Sequence, residues 1–208
     1  MKNLKIVSNP LISRDITYLR NKETREYQFR LAVRRIAYAL AIEISKEFET
    51  IEFDVETPLE ITKGYNLAKQ IVLIPVVRAG LSLVNSFIEM IPSAKVGHIG
   101  LQRDEKTLKP IDYYYKAPKN LEISKVIVLD PMLATGGSSS AAISFLKDRG
   151  ANDCVMASLI AAPEGVVRLS GDHPDVPIYT AVLDRELNEH GFILPGLGDA
   201  GDRTFGTL

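Results

Sequence analysis

The hydrophobic positions of this chain fall into two regimes. Over residues 22–48 they recur every three to five residues, at Tyr27, Leu31, Ile36, Leu40, Ile44 and Phe48, with Lys, Arg and Glu between them. That spacing predicts one long amphipathic helix. The stretch 53–63, which contains Pro58, reads as a loop or hairpin. From residue 71 the pattern changes to short continuous runs rich in Val and Ile: "IVLIPVV", "KVGHIGL", "KVIVLD", "CVMASLIAA" and "IYTAVLD". Continuous rather than alternating hydrophobicity predicts strands covered on both faces. Helix-like segments at 80–90, 137–149 and 163–170 separate most of these runs. Alternation of this kind predicts an α/β fold, a mostly parallel sheet flanked by helices and joined by right-handed crossovers.

Length and composition add a boundary to this picture. The 208 residues, 46% of them hydrophobic, suffice for one core, and no repeat or low-complexity linker divides them, so residues 1–208 read as a single domain. The formal net charge is -1, from 25 basic and 26 acidic side chains, which gives no field for nucleic acid or a membrane surface. The first residues, "MKNLKIVSNPLISRD", lack the apolar core of a signal peptide, and no run approaches the ~18 apolar residues of a membrane span. A cytoplasmic protein is the expectation. The one cysteine, Cys154, lies in an apolar run and reads as a small buried hydrophobe. His98, His173 and His190 are scattered, without ligand spacing or an evident partner, and read as structural or surface residues.

Parallel sheets bind ligands beyond the carboxyl ends of their strands, at the point where strand order reverses. The residues just after each run therefore matter most. They are Arg78, Ala79 and Gly80; Gln102, Arg103 and Asp104; Asp130 and a Thr-Gly-Gly turn; and Asp184 with Arg185. The turn opens a predicted helix in "VIVLDPMLATGGSSSAAISFL". Gly136 and Gly137 permit positive φ and close approach of a ligand, and the unpaired N–H groups of a helix start favour an anion. Thr135 and Ser138 to Ser140 add hydroxyl donors. The turn lacks the GxxxxGK[ST] spacing of a Walker loop and the G-x-G-x-x-G of a dinucleotide site. Asp130, just before it, cannot assist phosphate binding but can accept hydrogen bonds from vicinal sugar hydroxyls. Acid, turn and anion cradle together suit a ribose 5-phosphate.

"VIVLDPMLATGGS" resembles the phosphoribosyl pyrophosphate (PRPP) loop of the type I phosphoribosyltransferases. "PVVRAG", "QRDEKTLKP", "LIAAPEGV" and above all the C-terminal "NEHGFILPGLGDAGDRTFGT" resemble the uracil branch of that family, in the same order. The likeness is strong over 71–208 and loose over the first 70 residues. It implies transfer of phosphoribose from PRPP to uracil, giving UMP and diphosphate in pyrimidine salvage, through an oxocarbenium-like sugar that needs no protein nucleophile. It implies Asp130, Arg103 and Asp199 as catalytic residues. It implies a PRPP site of Arg78, Arg103, Asp199 and the loop Asp130, Pro131, Met132, Leu133, Ala134, Thr135, Gly136, Gly137 and Ser138. Main-chain groups of Ile193, Gly198, Asp199 and Ala200 would read uracil, within a C-terminal hood over the site. Mg²⁺ is the implied cofactor, held mainly by PRPP and water rather than by a protein metal site. A homodimer or higher oligomer is implied, with GTP as a possible allosteric activator. Residues 103–118, charged first and aromatic later, resemble the family's protruding hairpin arm, with Tyr113 to Tyr115 read as hairpin packing. Many type I members carry two adjacent acids at the loop start; Pro131 follows Asp130 here, as in the uracil branch. Two other readings stay open: a non-catalytic PRPP sensor that binds nucleic acid, which the near-neutral charge disfavours, and the same chemistry on another base.

Overall fold

The structure is a computed structural model that describes residues 3–103 and 110–207, with side chains described outside 101–113. In chain order, β1 (Leu4–Ile6) leads into α1 (Pro10–Arg20) and α2 (Glu26–Ser45). A hairpin follows, β2 (Thr50–Glu56) and β3 (Ile61–Leu67). Next come β4 (Gln70–Val77), α3 (Leu81–Met90), β5 (Lys95–Val96), β6 (His98–Arg103) and β7 (Pro110–Lys116). Then come β8 (Ser124–Leu129), β9 (Met132–Leu133), α4 (Gly137–Lys147), β10 (Asp153–Ala161), α5 (Pro163–Asp172) and β11 (Ile178–Leu183). Last are β12 (Glu186–Leu187), β13 (Ile193–Leu194) and α6 (Ala200–Phe205).

The central sheet runs β1-β11-β10-β8-β4-β6-β7, with β5 beside β4 and β9 beside β10. Its neighbours are parallel except for the antiparallel edge pair β6 and β7. The continuous apolar runs are explained by cover on both faces. Along β4, Ile71 and Leu73 pack with the buried residues of α1, α2 and α3, whereas Val72, Ile74 and Val76 pack with those of α4 and α5. Each aliphatic side chain fully removed from water contributes roughly 1.5–3 kcal/mol.

The N-terminal region is more ordered than its pattern implied. Asn9 caps α1, accepting the N–H groups of Leu11 and Ile12, and Pro10 takes the first turn. Buried Asp15 on α1 receives two 2.7 Å hydrogen bonds from Arg35 of α2. The single helix expected over 22–48 is Glu26–Ser45, and its buried line is Phe29, Val33, Ile36, Leu40 and Ile44. Tyr27 and Leu31 face outward, 54% and 47% exposed. They stand two residues from Phe29, about 200° around the helix axis.

The stretch 53–63, expected to be a loop or a hairpin, lies in a hairpin of β2 and β3, paired from Thr50↔Leu67 to Glu56↔Ile61. This hairpin forms a two-stranded sheet of its own, off the central one. The segment expected to be an arm, 103–118, supplies β7, which pairs antiparallel with β6 at the sheet edge; its charged turn, 104–109, lies outside the described residues. Tyr115 packs edge-on against Phe145 with ring centroids 4.8 Å apart, the packing role expected of it.

Candidate active site

β4 and β8 lie side by side and parallel, with Pro75 opposite Leu129. Strand order runs outward from this pair in both directions, through β6 on one side and β10 on the other. This is the switch point at which an open parallel sheet has a crevice. Arg78 follows β4 and Asp130 follows β8. Glycine permits the close approach of the two strand ends. A Cβ on Gly80 would stand 2.2 Å from the Leu129 carbonyl oxygen and 2.7 Å from the Val76 nitrogen. The Val77–Arg78 peptide bond is cis.

Beyond β8 the chain does not leave the sheet at once. The Asp130 N–H donates to the Ala157 carbonyl at 3.1 Å, and the Pro131 carbonyl accepts from Leu159 at 3.0 Å and Ile160 at 3.1 Å. Met132 and Leu133 then pair with Ile160 and Ala161 of β10. Gly136 makes the final turn with φ of 75° and caps α4. The helix start is overlaid by α5: a Cβ on Gly165 would stand 2.3 Å from the Ala134 carbonyl oxygen and 2.7 Å from that of Leu133. The Arg168 guanidinium stands beside Gly137, 3.3 Å from where a Cβ there would lie.

Asp130 is half-buried. The loss of water around its carboxylate pushes its pKa up to about 6, against hydrogen bonds at 3.3 Å from the Met132 N–H and the Ser139 hydroxyl, which pull it down. The group is thus poised near neutrality with acceptor capacity to spare.

The C-terminal hood closes the other side. β12 and β13 form a two-stranded hairpin, followed by a cis Leu194–Pro195 bond and positive-φ glycines at 196 and 198. Asp199 caps α6, accepting the Asp202 N–H at 2.8 Å. The hood meets the 130–138 loop where a Cβ on Gly191 would lie 3.6 Å from Thr135 Cγ2. It meets the end of β4 through Arg78, whose guanidinium donates to Asp202 Oδ1 at 3.0 Å and to Thr207 Oγ1 at 3.2 Å. The Thr207 hydroxyl and Arg78 hold the Asp202 carboxyl below the usual range. The Arg78 side chain remains 56% exposed.

The structure therefore brings Arg78, the loop from Asp130 to Ser138, and the segment from Ile193 to Ala200 to the carboxyl-end side of β4 and β8. Ile193 and Ala200 are buried, whereas Gly198, Asp199 and Ser138 are exposed. Arg103 ends β6, next to β4 in the sheet, and its side chain lies outside the described residues. Two charged strand-end residues do not face the crevice as expected. Asp184 is buried against Arg20, and Arg185 pairs with Glu186. Three residues beside the crevice are ones that sequence reasoning missed: Gly165, Arg168 and Asp202. Gly165 is legible only as part of "APEGV", and the other two carry no signal of their own. His173 is buried and bonded to the Ser140 carbonyl at 3.0 Å, and His190 is exposed, consistent with structural and surface roles. Cys154 is buried, and burial pushes its thiol up to about 11, consistent with an inert hydrophobe. No helix among the described residues is long and apolar enough to cross a membrane.

Comparison with known proteins extends the likeness to the N-terminal region. The family model for uracil phosphoribosyltransferase matches residues 6–207. The uracil phosphoribosyltransferase of Acholeplasma laidlawii is 53% identical over 207 residues, which is 100% of either chain. That of Salinibacter ruber is 52% identical over 207 residues, 100% of this chain and 99% of the relative. Among solved structures, the AQ2163 protein from Aquifex aeolicus superposes with a TM-score of 0.90 at 34% identity, covering 97% of both chains. The purine phosphoribosyltransferase from Pyrococcus horikoshii, at 20% identity and a TM-score of 0.55 over 75% of this chain and 85% of its own, shares the fold. With full-length relatives at half identity and a family match that begins in β1, this chain belongs to the uracil phosphoribosyltransferase family.

Proposed function

We propose that the chain transfers the phosphoribosyl group of PRPP to uracil, releasing diphosphate, with the residues gathered at the β4–β8 switch point. The observation that carries this reading is the order of groups along one crevice. An anion cradle at Gly136 and the start of α4 lies beside Asp130, and Arg78 stands opposite the Gly-rich hood. In this arrangement the 5-phosphate takes the turn from Thr135 to Ser138. Asp130 accepts the ribose hydroxyls, and Arg78 and Arg103 take the diphosphate, with Asp199 nearer the base. Arginine suits diphosphate because its planar fork pairs two oxygens at once. As the C1–O bond to diphosphate breaks and the bond from N1 of uracil forms, the N1 proton is released and taken up by the departing diphosphate, whose developing charge is met by these fixed cations. Rate then derives from positioning and electrostatic stabilisation, with no protein nucleophile. Pure protein given PRPP, Mg²⁺ and uracil is expected to release diphosphate; no release would contradict the proposal.

Uracil presents acceptor, donor and acceptor along O4, N3–H and O2. Main-chain groups of Ile193 and of Gly198 to Ala200 provide the complementary set, and Ala200 opens α6, where the first N–H groups lack intrahelical acceptors. Among the described residues no group of three or more His, Cys, Asp or Glu could cage a metal. A hard cation that keeps several waters and takes phosphate oxygens fits such a site, with Asp130 as the nearest carboxylate of the loop. Bound Mg²⁺ would neutralise charge on the diphosphate. Activation by GTP belongs to the same proposal and is checked by titrating GTP into the assay.

The free-standing hairpin supports self-association. On one face of it Ile51, Phe53 and Val55 alternate across from Asn66, Gly64 and Thr62, and Ile51 and Phe53 are 55% and 42% exposed. We propose that a second copy of this chain covers that face. Light scattering is expected to give at least a dimer for the parent and a smaller species for Phe53→Glu. A monomeric parent would contradict this.

The two cradle glycines separate folding from binding. Gly136 has positive φ, and a Cβ there would stand 2.8 Å from the Gly165 carbonyl oxygen, so Gly136→Ala should cost about 1–2 kcal/mol or more. A Cβ at Gly137 meets first the end of the flexible Arg168. Gly137→Ala should leave Tm within about 2 °C while kcat/KM for PRPP falls roughly tenfold or more. Equal PRPP kinetics in parent and Gly137→Ala would remove the cradle assignment.

A further inference from the structure

The loop given to the base is held by side chains distant from it in sequence. Asp184, just after β11, accepts the Gly196 N–H on Oδ2 at 3.0 Å. Arg20, in the last turn of α1, donates to both oxygens of that carboxylate, at 2.9 Å and 2.5 Å. Its Nη1 also donates to the Gly196 carbonyl at 3.1 Å. The pair thus occupies both main-chain hydrogen-bonding groups of Gly196. The next residue is held through its carbonyl. Arg203 Nη1 donates to the Leu197 carbonyl at 2.7 Å, and Nη2 donates to the Asn21 carbonyl at 2.7 Å. A third bond runs from Nη1 to the Leu19 carbonyl, and the guanidinium lies 4.5 Å from the centre of the Phe29 ring.

These contacts matter because the loop cannot fix itself. Gly196 has φ of 62°, and a Cβ there would stand 2.1 Å from the Ile193 carbonyl oxygen, so the turn requires glycine. Glycine brings little conformational preference of its own. A base read by main-chain groups needs those groups held to about 0.5 Å. The side chains that supply that constraint converge on Gly196 and Leu197, and leave Ile193 and Gly198 to Ala200 on either side.

We infer that Arg20, Asp184 and Arg203 are positioning residues for base recognition. They clamp Gly196 and Leu197 to the end of α1, so that the flanking main-chain groups meet the edge of the base. The inference rests on the proposed role of this loop in binding uracil. It also gives the N-terminal helix α1 a part in specificity.

Arg20→Met alone would strand the Asp184 carboxylate, so the double variant R20M/D184L, which removes the charge and the acceptor together, is the cleaner test, with R203M as a second. KM for uracil, KM for PRPP, the uracil-to-cytosine ratio of kcat/KM, and amide hydrogen exchange at Gly196 are measured for each. In the variants uracil KM is expected to rise about tenfold or more, with PRPP KM within about twofold of the parent. The uracil-to-cytosine ratio should narrow, and in R20M/D184L the Gly196 amide should exchange about tenfold faster or more. R20K, which keeps the charge without the two-point fork, should fall between parent and double variant. Unchanged uracil KM in variants of a uracil-using parent overturns the inference alone. Two KM values that rise together in step with a lower Tm also overturn it, because they mark general destabilisation. A parent that turns over another base and ignores uracil overturns the reading on which the inference rests.

Discussion

Asp130→Asn is expected to make the protein more stable and far less able to use PRPP. The two effects share one cause, the poor solvation of the carboxylate. Its pKa stands at about 6 in the folded chain against 3.8 for an unperturbed carboxyl. Between those values the folded state holds a proton that the unfolded state has released. Stability from this group is therefore lost as pH rises from about 4 through about 6, and the loss is constant above that. Allowing for the water that still reaches Asp130, the cost is roughly 2 kcal/mol. Asparagine has no charge to desolvate. Its Tm above pH 6 should exceed the parent's by a few degrees, and the gap should close as pH falls toward 4. The amide also replaces an acceptor for ribose hydroxyls with a group that is half donor. One or two charge-assisted hydrogen bonds of roughly 1.5–3 kcal/mol each are lost, so kcat/KM for PRPP should fall about 10²-fold or more. The parent's kcat/KM for PRPP should also decline below about pH 6, and the variant should lack that limb. Differential scanning calorimetry and a pH–rate profile check the two halves separately.

Gly165→Ala is expected to damage the same loop from behind. The new methyl would stand 2.3 Å and 2.7 Å from two carbonyl oxygens of the 130–138 loop, both main chain. Neither can swing aside as a side chain can, so α5 or the loop must move. Such overpacking costs roughly 1–3 kcal/mol, or a Tm loss of about 2–12 °C for a chain of this size. Displacement of the cradle by about 1 Å should lower kcat/KM for PRPP about 10²-fold. At Gly171, in the last turn of the same helix, an added methyl would meet nothing within 4 Å, and φ is not positive. Gly171→Ala should therefore keep full activity with Tm unchanged or higher. Equal kinetics in the two alanine variants would show that α5 does not brace the loop.

The strands and the helices between them were legible because burial on both sheet faces leaves a simple mark, a continuous apolar run that ends in a charged residue. Asp130 and the Thr-Gly-Gly turn were legible for the same reason, since they sit where such a run stops. Pro131 carried only family information in the sequence. In the structure its carbonyl accepts from two N–H groups of β10, a role that any residue could fill. The N-terminal third was read less well. The pair Asn9 and Pro10 is a cap followed by a first-turn proline, a helix-start signal that the apolar spacing concealed. The outward Tyr27 and Leu31 distorted the apparent face of α2. Asp184 was legible as a strand-end acid, but its partner Arg20 lies 164 residues away, and no local pattern connects them. Long-range ion pairs and close approaches onto glycine, as at Gly80 and Gly165, are properties of the packed chain and leave no spacing to find.

Steady-state turnover of PRPP with Mg²⁺ across a panel of bases addresses the assignment of the crevice most directly. A main-chain edge matched to uracil leaves buried groups mispaired against cytosine, and such sites discriminate by about 10⁴–10⁵. Uracil should give UMP and diphosphate with a kcat/KM at least about 10³-fold above cytosine, hypoxanthine and guanine. Equal or faster turnover of any other base, or PRPP binding without turnover of any of them, would contradict the assignment.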